Sequence, residues 1–148
     1  MIRLDYRAQR GEGYSGGMET EKLNEQMHQD RIAQVQRYIS QHLDKPLNRE
    51  VLADIAGFSI PHFHRVFNAC TGESAISYVR RIRLLRAGYK LRMGAVDILA
   101  VALAAGYESH TAFSKAFKKQ FGFSPAEFRK LPCTSATSLL REGSHHAD

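Results

Sequence analysis

"LADIAGFSIPHFHRVFNACTGESAISYV" (residues 52–79) and "VALAAGYESHTAFSKAFKKQFGFSPAEFR" (residues 101–129) spell one pattern twice. Leu52 pairs with Val101, Ala53 with Ala102, Ala56 with Ala105, Gly57 with Gly106 and Phe58 with Tyr107, at a constant offset of 49. Glu108 is then extra, and the offset becomes 50. Ser59 pairs with Ser109, Phe63 with Phe113, Arg65 with Lys115, Phe67 with Phe117, Gly72 with Gly122, Ser74 with Ser124 and Tyr78 with Phe128. Helical sequences share Ala and Leu by chance. They seldom share two glycines, two serines at cap positions and four aromatic positions in register, so we read an internal duplication.

Each copy has the same physical logic. A short helix stops at a glycine, a tight turn follows, and a serine caps a second helix, which is the arithmetic of a helix-turn-helix. Phe63 and Phe67, like Phe113 and Phe117, stand at i and i+4 and turn one face inward. Pro61, His64, Arg65 and Asn68 are left outward on the first copy; Thr111, Ser114, Lys115 and Lys118 are left outward on the second. These side chains are short or hydrogen-bonding, with a cation at the centre. Such a ridge suits base edges: Arg or Lys toward guanine, Ser and Thr toward either kind of base. A solvated helix face is the plain alternative for either ridge alone; two ridges in register in a basic chain argue for nucleic acid.

The rest of the chain follows from this pair. Ile32, Val35, Ile39 and His42–Leu43 form an amphipathic stripe that Pro46 ends. Helices are expected at about Arg49–Ala56 (capped by Asn48), Ile60–Cys70, Ala75–Arg92, Val96–Ala105, His110–Phe121 and from Pro125, where "SPAE" reads as a capping box. Tyr78, Ile82, Leu85 and Tyr89 recur at spacings of four, three and four and predict the inner face of the long helix; Gly88 within it should cost about 1 kcal/mol relative to Ala. No strand-like alternation competes. The fold class is therefore all-α: seven helices, as two helix-turn-helix subdomains (about 30–73 and 95–130) joined by a long helix (about 75–92), within a domain at 28–130. Residues 1–27, with Gly11, Gly13, Gly16 and Gly17 and no apolar period, read as a flexible extension, and residues 131–148 as a flexible tail.

Composition narrows the partners. The chain has 148 residues, 43% of them apolar, and 21 Lys+Arg against 15 Asp+Glu, for a net charge of +6. That balance favours anionic partners. No run approaches the roughly 18 apolar residues of a membrane span, and "MIRLDYRAQRGEGYSGG" has no apolar signal core. Cys70 and Cys133, far apart, make no disulfide framework and fit a reducing cytoplasm. The long helix is basic, with Arg80, Arg81, Arg83, Arg86, Lys90 and Arg92; some of these are expected to pair with Asp or Glu of the fold and some to meet phosphates, which give affinity and register rather than sequence choice. The helix N-termini at Ser59 and Ser109 are further expected phosphate positions. The phosphate set is thus Ser59, Asn68, Arg80, Arg81, Ser109, Lys118 and Lys119. Eighteen residues of helix span about 27 Å, against about 34 Å for one turn of B-DNA, so a single chain is expected to serve two successive major grooves.

At this point the residues resemble a known family. "LADIAGFSIPHFHRVFNACTGESAISYVRRIRLLRA" and "ILAVALAAGYESHTAFSKAFKKQFGFSPAEFRK" are similar to the DNA-binding domain of AraC/XylS-type transcription regulators, over about Ile32 to Lys130. The resemblance implies seven helices, a homeodomain-like pair of helix-turn-helix units, and base-reading sets of Pro61, His64 and Arg65 on the first and His110, Thr111, Ser114 and Lys115 on the second. Pro61 replaces a side chain that touches bases in some members, and Lys115 stands where some have Arg, without the bidentate fork. Leu85 sits where Glu is common and Gly88 where Ala is common. The chain is then either a stand-alone reader or the DNA-binding part of a longer member. Expected partners are double-stranded DNA and RNA polymerase, with a monomer on an asymmetric site in the bacterial cytoplasm, associated with the nucleoid through DNA; no cofactor, metal or membrane is expected.

Two other classes compete. An enzyme lacks support: His62 and His64 are two apart and do not share a helix face, no ligand spacing follows, and no phosphate loop follows a strand. His145–His146 reads as solvated tail. An interaction adaptor or decoy regulator without specific DNA binding fits the fold but leaves the two polar ridges unexplained.

Overall fold

The computed structural model describes residues 17–94 and 97–143, and among them it is all-α. Eight helices follow in order: α1 (Gly17–Gln41), α2 (Arg49–Ala56), α3 (Ile60–Thr71), α4 (Ala75–Arg92), α5 (Ile98–Ala104), α6 (His110–Phe121), α7 (Pro125–Arg129) and α8 (Cys133–Gly143). Seven match the expected elements; α8 is additional. The chain divides into two compact units, Met1–Ile76 and Ser77–Asp148, the boundary in sequence falling within the first turn of α4.

In the first unit α1, α2 and α3 contact one another pairwise. Ile32, Val35 and Ile39 of α1 are buried, as are Leu52, Ala53 and Ala56 of α2 and Phe63, Val66 and Phe67 of α3. The small residues of α2 allow close approach, and the two phenylalanines fill the space that leaves. Each fully buried side chain of this kind stabilises by about 1.5–3 kcal/mol. Asn48 Oδ1 accepts from Val51 N at 2.9 Å and starts α2. Gly57, at φ 76°, ends it: Gly57 N donates to Asp54 O and Phe58 N to Ala53 O, the paired bonds of a Schellman stop.

Helix α1 begins at Gly17, so residues 17–27 lie in a helix where an irregular extension was expected. The cause is propensity without periodicity. Glu19, Lys22, Glu25 and Gln26 are good helix formers, Gln26 Nε2 donates to Asp30 Oδ1 one turn on, and Leu23 is exposed. Its half-buried side is Thr20, Asn24 and Met27, with one apolar residue among the three, so the stretch carries no apolar stripe. Gly11, Gly13 and Gly16 lie outside the described residues.

The second unit repeats the plan. Its core joins Leu84, Ala87 and Leu91 of α4 to Val101, Ala102 and Ala105, to Phe113, Phe117 and Phe121, to Phe128 and to Ala136 and Leu140. The first three match Ile32, Val35 and Ile39 at an offset of 52, so the duplication extends back into the preceding helix of each unit. Asp97 caps α5 by accepting from Leu99 N and Ala100 N. Gly106, at φ 93°, stops it with the same paired bonds, Gly106 N to Leu103 O and Tyr107 N to Ala102 O. Ser124 and Glu127 form the expected capping box.

Two expectations for this unit are corrected. The inner face of α4 is Val79, Leu84, Ala87, Gly88 and Leu91; Tyr78, Ile82 and Leu85 are half-buried and Tyr89 is exposed. Ala87 and Gly88 add little to an apolar pattern, whereas two tyrosines dominate it. The second correction is the tail, where residues 133–143 form α8, packed on α6. A Cβ on Gly88 would lie 2.8 Å from Leu140 Cδ2, and one on Gly143 would lie 2.8 Å from Phe121 and 3.5 Å from Leu85. Leu85 and Gly88, the two departures noted from the family pattern, are therefore where α8 rests. His145 and His146 lie outside the described residues.

Arginines tie helix ends in both units. Arg31 Nη1 donates to Ala56 O, Arg86 Nη2 to Ala104 O, and Arg92 Nη1 to the carbonyls of Phe128, Arg129 and Leu131. Each satisfies a carbonyl left over at a helix C-terminus.

Candidate nucleic-acid interface

The second helix of each unit is built the same way. Ser59 Oγ accepts from His62 N at 3.3 Å to start α3, and Ser109 Oγ accepts from Ala112 N at 3.1 Å to start α6. Gly72 at φ 83° and Gly122 at φ 84° end them, each N–H bonding the carbonyl four residues back. The Phe63 and Phe67 rings lie 5.6 Å apart at 53°, and those of Phe113 and Phe117 lie 5.5 Å apart at 50°. The caps and the aromatic pair fix the start, the end and the rotation of each helix, and so determine which residues face out.

The faces that result are those the sequence indicated. Pro61, His64, Arg65 and Asn68 are exposed on α3; His110, Thr111, Lys115, Lys118 and Lys119 are exposed on α6, and Ser114 is half-buried. Ser114 Oγ and His110 Nδ1 share a hydrogen bond at 3.4 Å, which limits the rotamers of both. Ser59 and Ser109 are exposed at the helix starts. Their oxygens serve as caps, and each hydroxyl keeps a proton to donate.

Arg80 is exposed, but Arg81 is not available to a phosphate. It is 8% exposed, and its Nη1 donates to Gly143 O at 2.7 Å while its guanidinium lies 5.2 Å from the Tyr78 ring centre. Adjacent helix positions differ by about 100°, so Arg80 and Arg81 cannot share a face, and no pattern of residues signals the α8 carbonyl that takes Arg81 in.

An arginine stands at each turn glycine, a placement that basic composition alone does not indicate. Arg31 Nη1 would lie 2.6 Å from a Cβ on Gly57, and Arg83 Nη1 3.7 Å from one on Gly106. Arg31 and Arg83 are 52 apart, the offset of the first helices, and extending the repeat alignment upstream would have found them. Burial pushes the Tyr107 phenol up from its ordinary value, while Arg80 and Arg83 pull it partly back. The α5–α6 turn thus carries positive charge on its α4 side.

Other chemistry finds no constellation. Among the described residues no group of three or more His, Cys, Asp or Glu is placed to hold a metal. His62 is half-buried against Phe58 and His28, whereas His64 is exposed, so the two do not converge. Burial pushes the Cys70 thiol up, away from a reactive thiolate. No helix among the described residues is long and apolar enough to cross a membrane.

Two capped helix pairs, each offering a polar ridge with a cation at its centre, define a tandem helix-turn-helix protein. A family model described as a helix-turn-helix domain matches residues 52–131. The regulatory protein SoxS of Escherichia coli K12 is 35% identical over 102 residues, covering 69% of this chain and 95% of SoxS. The right origin-binding protein of the same organism is 39% identical over 102 residues; the match covers 69% of this chain but only 35% of that protein. Among solved structures, the DNA-binding domain of AdpA in complex with a target DNA aligns with a TM-score of 0.61 at 30% identity, over 67% of this chain and 89% of that one. An AraC-type regulator from Chromobacterium violaceum aligns with a TM-score of 0.65 at 25% identity, over 70% and 96%. The chain belongs to the AraC-type helix-turn-helix family.

Proposed function

We propose that this chain is a sequence-specific, double-stranded-DNA-binding transcription regulator that inserts α3 and α6 into successive major grooves. One observation carries the reading: the same caps and the same buried aromatic pair hold an exposed polar ridge outward in both units. Pro61, His64 and Arg65 read bases from α3, and His110, Thr111, Ser114 and Lys115 read them from α6. Ser59, Asn68, Arg80, Ser109, Lys118 and Lys119 meet phosphates. The 18-residue helix α4 is about 27 Å long, on the scale of one DNA turn. Two unlike ridges on one chain fit a monomer on an asymmetric site, in the bacterial cytoplasm and nucleoid, with RNA polymerase as its protein partner.

Selection from a random duplex pool tests this. A shared sequence of two boxes is expected, with affinity falling on added salt at a log–log slope of about −0.9 per phosphate neutralised. Arg65→Ala and Lys115→Ala should each weaken the selected site by about 1–3 kcal/mol and relax choice at one base position, in different boxes. A pool with no enriched sequence would leave an adaptor or decoy as the reading. Equal loss on all sequences would make both residues phosphate contacts.

A further inference from the structure

His110 and Ser114 stand at i and i+4 on α6, and Ser114 Oγ and His110 Nδ1 share a hydrogen bond at 3.4 Å. Ser114 is also the half-buried member of the two ridges. Pro61, His64, Arg65 and Asn68 on α3 are exposed, and so are His110, Thr111, Lys115, Lys118 and Lys119 on α6. The one side chain that is partly withdrawn is therefore the one whose hydroxyl is engaged with a neighbouring reader.

The duplication shows what the fold itself requires at these two positions. At the offset of 50, His110 corresponds to Ile60 and Ser114 to His64. Ile60, 37% exposed, and exposed His64 occupy the same turns of α3, after an equivalent serine cap and on a helix held by an equivalent pair of phenylalanines. Isoleucine has no side-chain atom that bonds an imidazole, so Ile60 gives His64 no tether of this kind. The caps and the aromatic pair hold α3 in place without such a bond, so helix packing does not account for the His110–Ser114 pair.

An exposed imidazole rotates about its side-chain bonds, and fixing it against a base edge costs conformational entropy. The bond to Ser114 removes part of that freedom before DNA arrives. It also occupies Nδ1 and leaves Nε2 as the ring nitrogen for a base edge. A hydroxyl both donates and accepts, so it imposes neither tautomer, and Nε2 can meet an acceptor such as guanine N7 or a donor such as cytosine N4.

We infer that Ser114 is a positioning residue for His110. The two act as one reader of one base position in the second box, with His110 Nε2 at the base and the Ser114 hydroxyl behind the ring. This deepens the proposed function and rests on it. On the first ridge His64 reads without such a partner.

Two double-mutant cycles on the full chain test this, each run on the duplex selected from the random pool. His110→Ala is expected to weaken the selected site about tenfold or more, and Ser114→Ala about threefold to tenfold. Both should relax choice at the same base position when selection is repeated, and the double variant should stay within about twofold of His110→Ala. Ser114→Thr, which keeps the hydroxyl, should restore the affinity and the base choice that Ser114→Ala loses. At the same spacing on α3, the losses from Ile60→Ala and His64→Ala should multiply. NMR of the ring nitrogens in the free protein gives a readout without DNA: Ser114→Ala should move those of His110, and Ile60→Ala should leave those of His64 in place. Multiplied losses in the His110–Ser114 cycle, relaxation at two different base positions, no recovery in Ser114→Thr, or unmoved His110 nitrogens in Ser114→Ala would each overturn the inference and leave the DNA reading standing. A pool with no enriched sequence would remove the DNA reading and this inference with it.

Discussion

Gly88→Ala should be destabilising in this chain and stabilising once Leu140 is shortened. In a helix interior, Gly to Ala gains about 1 kcal/mol. Here the new methyl would lie 2.8 Å from Leu140 Cδ2, with Phe128 at 3.6 Å and Phe117 at 3.8 Å. Ordinary carbon contacts are about 3.5–4.0 Å, so Leu140 must yield, yet it is buried in the core with Ala136 and Phe121. Overpacking of this kind costs about 1–3 kcal/mol, so the net change should be a loss of up to about 2 kcal/mol. Leu140→Ala alone should cost about 2–5 kcal/mol, through the lost transfer energy and the cavity. In that background the obstructing methyl is gone, and Gly88→Ala should recover its gain of about 1 kcal/mol. The coupling between the two sites is then about 1–3 kcal/mol. Urea unfolding of the four proteins by circular dichroism measures it, using the transition that Leu140→Ala shifts. Equal stabilisation by Gly88→Ala in both backgrounds would mean that α8 does not rest on α4, and the account of the second unit's core would fall with it.

Other measurements bear on single residues. Arg81→Met should lower stability by about 1.5–3 kcal/mol, the range for a hydrogen bond to a charged group, while the salt slope of DNA binding stays unchanged; a slope smaller by about 0.9 would return Arg81 to the phosphate contacts. Glu127 is held below the usual carboxylate range, first by its hydrogen bonds to Ser124. Its folded value is depressed, so its contribution is present above the unfolded value and is lost as pH falls through the folded one. Glu127→Gln should therefore flatten the acid limb of a stability–pH profile below the ordinary glutamate range and leave neutral pH little changed; an unaltered acid limb would rule out the capping box as its source.

What the sequence revealed was whatever repeats or punctuates. Gly57, Gly106, Ser59 and Ser109 were readable because each has one conformational job, and Phe63, Phe67, Phe113 and Phe117 because large apolar residues at i and i+4 mark a face. The outward ridges followed by subtraction. Small residues hid the rest. Ala87 and Gly88 form part of the inner face of α4, yet Tyr89 drew the predicted stripe toward itself. Ala136, Leu140 and Gly143 are too sparse to signal α8, and without α8 nothing distinguishes the buried Arg81 from the exposed Arg80. The polar first turns of α1 have helix propensity but a half-buried side of Thr20, Asn24 and Met27, too polar for periodicity to register.

Glu108 has no counterpart in the first unit, and it falls between the Tyr107 hydrogen bond that stops α5 and the Ser109 cap that starts α6. The two caps differ accordingly, with φ at −66° for Ser59 and −147° for Ser109. One inserted residue gives α6 its own departure angle from the helix before it. Grafting Pro61, His64 and Arg65 onto α6 would transplant the side chains without their approach, so the halves are not exchangeable parts.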